Sequence, residues 1–179
     1  MRTRHALFCL AGVVLCLYET GCNPVSMATT GYTAVKGANA HVNPIEGIKQ
    51  SDLSGVDSLK FTDVTTDVTA VCPIDVLMAV RSGIQEALAD ENTKKVFPGG
   101  GKSLTLDVAC RFYKHKPTIG KEGRLDLLVT FVTPDGKVLG RVFVEGINES
   151  MRETKPEAMA KKNAEKLVEY LNKIKTGKE

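Results

Sequence analysis

Apolar and polar positions alternate most cleanly from Leu104 to Phe112. Every even position there (Leu104, Leu106, Val108, Cys110, Phe112) is apolar and the odd ones are mostly polar. A period of two belongs to a strand with one face in the core and one towards solvent. The same period returns in Leu125, Leu127, Val129 and Phe131, within a segment from Leu125 to Thr133. Pro134-Asp135-Gly136-Lys137 has the composition of a hairpin turn, so Val138 to Gly146 reads as the next strand. Upstream, Leu59 to Val68 is β-prone and partly alternating, and predicts the first strand.

Two segments change to the helical period. Leu77, Val80, Ile84 and Leu88 share one helical face. Cys72-Pro73-Ile74-Asp75 predicts the start, with Pro at the first helical position and an acid in the first turn. The helix is expected to end near Asn92, with the turn at Pro98 and Gly99, Gly100 and Gly101. The last helix runs from about Pro156 to Ile174, with Ala160, Ala164, Leu167, Val168, Leu171 and Ile174 on its inner stripe. Lys161, Lys162, Lys166 and Lys173 lie mostly off that stripe and read as a solvated face. The order β-α-β-β-β-α predicts an α+β fold over residues 58–179: a two-layer sandwich, its mainly antiparallel sheet covered by two helices. Residues 22–57, rich in Asn, Gly, Ser, Thr, Ala and Pro with no persistent apolar period, read as a flexible tether.

The amino-terminal end has another character. Met1 to His5 is basic, and Ala6 to Leu17 is uncharged and apolar. Those 12 residues fall short of the roughly 20 that span a bilayer, and they fit the core of a signal peptide, here residues 1–21. Leu17-Tyr18-Glu19-Thr20-Gly21-Cys22 resembles the lipobox of bacterial lipoproteins. Gly21 and Thr20 fit its small-residue requirement; Glu19 departs from the apolar residue usual there. The resemblance implies lipid attachment at Cys22, with palmitate-type acyl chains holding the protein to a membrane. It also implies the periplasmic side of the outer membrane, because Asn23 rather than Asp follows Cys22. The rival site, Ser26-Met27-Ala28, suits an ordinary signal peptidase and would release a soluble periplasmic or secreted chain.

Composition removes several function classes. Aromatic content is 6% with no Trp, which is poor material for stacking bases. The net charge of +3 loses two arginines and one glutamate with residues 1–21, leaving about +2, so no nucleic-acid partner is expected. Gly99-Gly100-Gly101-Lys102-Ser103 resembles the end of a phosphate loop. Yet Val96 stands where that motif needs Gly, and the order is helix, loop, strand, so no nucleotide is expected.

No catalytic residue emerges. Asp63 and Asp67 lie four apart on a strand, about 13 Å, too far to share a proton. His41 falls in the tether and His115 near a strand end, outside any metal-ligand spacing. Ser103 and Ser150 carry no nucleophile signature. No metal and no cofactor are expected. Cys72 and Cys110 are the candidate disulfide, one at a helix start and one on an inward strand face. In an oxidising compartment a closed loop of about 38 residues would contribute roughly 3–4 kcal/mol; the alternative is two buried thiols.

Three segments carry a wider resemblance: Ile84-Gln85-Glu86-Ala87-Leu88, Leu104-Thr105-Leu106-Asp107-Val108, and Val132-Thr133-Pro134-Asp135-Gly136-Lys137-Val138-Leu139-Gly140. In order and in their hairpin they resemble bacterial envelope lipoproteins whose small domain is similar to curli-secretion-type lipoproteins and to the TolB amino-terminal domain. Over residues 59–174 the resemblance implies a non-enzymatic envelope protein with an accessory or assembly role and another envelope protein as partner. The alternative is a secreted soluble protein, or a hydrolase whose site is assembled from scattered residues.

Overall fold

The computed structural model describes residues 37–115, 122–149 and 155–177. The signal segment, Cys22, the alternative cleavage site after Ala28 and Ser150 lie outside the described residues. The fold is α+β. Five strands form one sheet: β1 (Ala38–Glu46), β2 (Val56–Thr65), β3 (Lys102–Lys114), β4 (Gly123–Val132) and β5 (Val138–Asn148), in the order β1-β5-β4-β3-β2. Three helices accompany it: α1 (Ile74–Ala89), a short α2 (Glu91–Val96) and α3 (Pro156–Thr176). The meander β3-β4-β5 is antiparallel throughout. β2 and β3 are parallel, which a hairpin cannot join, so α1 forms the crossover between them.

The alternation read from the sequence sets the layers. Leu104, Leu106, Val108 and Cys110 of β3 face the same side as Leu125, Leu127, Val129 and Phe131 of β4, and each is at most 1% exposed. Val142 and Val144 of β5 continue that face. α1 packs on β2 and on α3, while α3 packs on β1, β5 and β4. Both long helices therefore cover one side of the sheet. Pro134 to Lys137 forms the expected turn. Thr133 N–H donates to the Lys137 carbonyl, and Gly136 takes φ 84°, a conformation most residues avoid.

Polar and small residues fix how the helices sit. Asn163 of α3 is fully buried and donates from Nδ2 to the Leu125 carbonyl at 3.0 Å. It fits because Gly146 lies beneath it; a Cβ on Gly146 would stand 2.4 Å from Asn163 Oδ1. Where the helices cross, a Cβ on Gly83 would meet the Ala160 backbone at 3.1 Å. At the carboxyl end of α3, Lys175 donates to the Val56 carbonyl and its Nζ lies 4.6 Å from the centre of the Phe97 ring.

Four expectations change. A bulge between Cys110 and Phe112 turns Phe112 off the inward face of β3 and leaves it exposed. The tether reading of residues 22–57 does not hold from Ala38 onward. That segment is β1, paired antiparallel with β5, followed by a 3-10 turn at Gln50–Leu53 that buries Leu53. β1 is an edge strand with only Ala40 buried, and Asn, His and Pro interrupt its few apolar residues. Pro73 precedes the helix as its cap, with ψ 162°, rather than opening it. The buried stripe of α1 is Val76, Ala79, Val80, Gly83 and Ile84, while Leu77 and Leu88 are half-buried. Small residues carry the contact with α3, and that rotates the face. Among the described residues no helix is long and apolar enough to cross a membrane.

Candidate functional site

With both long helices on one side, the other face of the sheet is open among the described residues. The strand registers arrange its side chains in rows. Ala109, Leu128, Phe143 and Asn43 lie opposite one another across β3, β4, β5 and β1. The next row runs Phe112, Asp126, Glu145 and His41, and the one beyond it Lys114, Arg124, Ile147 and Asn39. A partly exposed apolar row thus borders a charged one. Such rows are where cross-strand pairs act on one another.

The charged row is a connected network. Arg124 donates from Nε to both carboxylate oxygens of Asp126, at 2.9 and 2.8 Å, and from a terminal nitrogen to Glu145 at 2.6 Å. Asn43 donates from Nδ2 to the second oxygen of Glu145 at 2.9 Å. Asp126 is only 4% exposed. Burial pushes its carboxyl above the ordinary aspartate range, and the hydrogen bonds from Arg124 only partly counter that. The bond to Asp126 in turn raises the Arg124 guanidinium. Two carboxylates opposite each other would repel; Arg124 between them makes the arrangement tenable.

The residues singled out from sequence fall in separate places. Asp63 and Asp67 face different arginines, Arg81 at 3.7 Å and Arg111 at 2.5 Å. Its bond to Arg111 holds the Asp67 carboxyl below the usual range. His41 sits on β1, in the charged row, and not in a tether. His115 follows β3, with Nδ1 3.3 Å from the Tyr113 hydroxyl. Ser103 is a buried residue near the start of β3. Gly99 to Gly101 form the turn that enters β3, so Lys102 opens a strand and not a helix. Cys72 and Cys110 do come together: both are buried, and their Sγ atoms are 2.9 Å apart. Burial raises the Cys110 thiol strongly, and the neighbouring Cys72 adds to that rise. Among the described residues no group of three His, Cys, Asp or Glu side chains is placed to hold a metal ion.

A second concavity of about 650 Å³ lies between α1, α2 and α3, lined by Gly83, Glu86, Asp90, Glu165, Asn172 and Lys173 among others. Its charges along α3 are partly paired. Glu165 accepts from Lys162, and Glu169 from Lys166 and Lys173. Asn172 Oδ1 is buried with no hydrogen-bond partner among the described residues, a single hook too slight to define a ligand.

Sequence reading missed the Arg124 network. Asp126 and Arg124 were visible only as polar positions of an alternating strand, and their meeting with Glu145 and Asn43 depends on long-range register.

No protein-family model and no curated protein sequence matches the chain. Among solved structures, two crystal forms of the PelC dodecamer from Paraburkholderia phytofirmans align with it. One, a point variant, is 10% identical with a TM-score of 0.44; the other is 9% identical with a TM-score of 0.39. Each alignment covers 74% of this chain and 96% of that chain. Likeness at that level says nothing of what this chain does.

Proposed function

We propose that this chain is an exported, non-enzymatic protein of the bacterial cell envelope, held to a membrane by lipid on Cys22, and that it binds another envelope protein through the open face of its sheet. One observation carries the binding reading: the partly exposed row of Ala109, Leu128 and Phe143 beside a satisfied ionic network. Apolar centres with polar surroundings are the ordinary make-up of protein interfaces. Pairing through a sheet edge is a poorer route. β1 carries Pro44, which has no N–H to offer, and the pairing of β2 is broken by two register shifts. The anchoring reading rests on the basic and apolar segments followed by Cys22, and the accessory role on the resemblance to envelope lipoproteins.

Two measurements test the two halves. Mass spectrometry of the mature protein should find an acylated Cys22 at its amino terminus; a free terminus at Thr29 would remove the anchor. Photo-crosslinkers placed at Leu128 and Phe143 in intact envelopes should capture one protein reproducibly. Equal capture from Ser82 on the helical side would remove the binding face.

A further inference from the structure

We infer that Cys72 and Cys110 form a disulfide in the exported protein, and that it closes during folding and is afterwards shielded from reductant. Cys72 ends the turn that links β2 to α1; its N–H donates to the Val68 carbonyl at 3.0 Å. Cys110 projects inward from β3, and its carbonyl accepts from the Thr66 hydroxyl at 2.9 Å. The crossover from β2 to α1 is thus held against β3 at Thr66, on the amino-terminal side of Cys72. The two Sγ atoms lie 2.9 Å apart, too close for comfortable contact between unbonded sulfurs and within reach of a bond after a small side-chain adjustment.

Burial decides when the bond can form. The cysteines are 2% and 0% exposed, so no oxidant reaches either sulfur once α1 is docked. Thiol–disulfide exchange also needs a thiolate, and the surroundings of Cys110 disfavour that form. Exchange therefore precedes docking, with an oxidised protein dithiol of the thiol-oxidoreductase class. One cysteine thiolate attacks the oxidant's S–S bond, forming a mixed disulfide and releasing one oxidant thiolate, which takes up a proton. The second cysteine, losing its own proton, attacks the sulfur of the first. The Cys72–Cys110 bond forms and the oxidant leaves as a dithiol. Two electrons and two protons pass to the oxidant.

The inference rests on the export reading for its compartment, and the test separates the two. The full chain, unfolded and reduced, is refolded with oxidised glutathione and mapped by peptide mass spectrometry without reduction. The expected result is a linked pair of peptides carrying Cys72 and Cys110, lighter by two hydrogens than the free pair. Free thiols or glutathione adducts at both positions after refolding would overturn the pairing. The same mapping is applied to protein from envelopes, alkylated at lysis in denaturant. Linked peptides support the inference, and free thiols in protein recovered from the envelope overturn it. A cross-link formed on refolding, with protein found only in the cytosol, would sink the export reading and keep the pairing. Reductant added to the folded, linked protein should leave the bond intact until denaturant opens the fold; immediate reduction would overturn the shielding.

Discussion

The two faces of this sheet are made of alternate residues of the same strands, and they solve opposite problems. On the helix side of β4, Leu125, Leu127, Val129 and Phe131 are at most 1% exposed and meet a layer of helices. On the other side, Arg124, Asp126, Leu128 and Thr130 have, among the described residues, the sheet alone for support. The helix side is specified by volume: the buried polar residue that α3 brings to it, Asn163, is bonded to a backbone carbonyl and seated over a glycine. The open side is specified by partners, with Arg124 holding two carboxylates at once. One face is thus committed to the fold, and the other is left uncovered by the described residues.

Large-to-small substitutions should separate the faces most sharply. Phe131→Ala removes a fully buried ring and should cost about 3–5 kcal/mol in urea unfolding. Leu128→Ala, three residues earlier and on the open side, should cost about 1 kcal/mol or less. Equal losses would mean that the open face is as much a core as the covered one. The next effect concerns the seat of Asn163. Gly146→Ala places a methyl group on the Asn163 amide and should cost about 1–3 kcal/mol. Asn163→Ala in the same chain should recover part of that loss in a double-mutant cycle; strict additivity would place the strain elsewhere.

These two predictions also mark what was legible. Phe131 announced itself through the period of two, as did Leu104, Leu106, Leu127 and Val129. The strands of the meander, the final helix and their layering followed from that pattern. Asn163 and Gly146 announced nothing. Each is an ordinary polar or small residue until the register of β5 and the placement of α3 bring them together across 17 residues of sequence. β1 was illegible for a related reason. An edge strand with Ala40 as its only buried residue has little hydrophobic signal to lose. The open face suffered the same fate, because its rows join β3, β4, β5 and β1, and no local window contains them.

A smaller effect tests the joint between the helices. Gly83→Ala gains up to about 1 kcal/mol of helix propensity. The added methyl group meets the Ala160 backbone at 3.1 Å, and a backbone inside a packed helix yields little. The net result should be a loss of about 1 kcal/mol in thermal or urea unfolding. A gain would show that α1 and α3 can part slightly, and that the helical layer is less rigid than its small-residue crossing implies.

The smallest effect is the most telling about the open face. Burial holds the Asp126 carboxyl above its ordinary value of 3.8. The folded chain therefore takes up this proton at a higher pH than the unfolded chain does. Between the raised folded value and the ordinary one, the folded state binds more protons, so stability rises as pH falls through that window. Above the window the charged carboxylate is a standing cost. Asp126→Asn removes the titration while keeping the shape. Compared by urea unfolding from neutral pH down to the ordinary aspartate range, the wild type should gain on the variant as pH falls. The slope of the difference is the test; its offset also contains the altered bond to Arg124. If the wild type instead loses ground on acidification, the ion pair outweighs burial and the network is a brace for the sheet. If it gains, the fold carries a buried charge on the one face its helices do not cover, at some cost to its own stability. A paired charge of that kind is poor evidence for stabilisation, so the network would have to be explained by something other than the strength of the sheet.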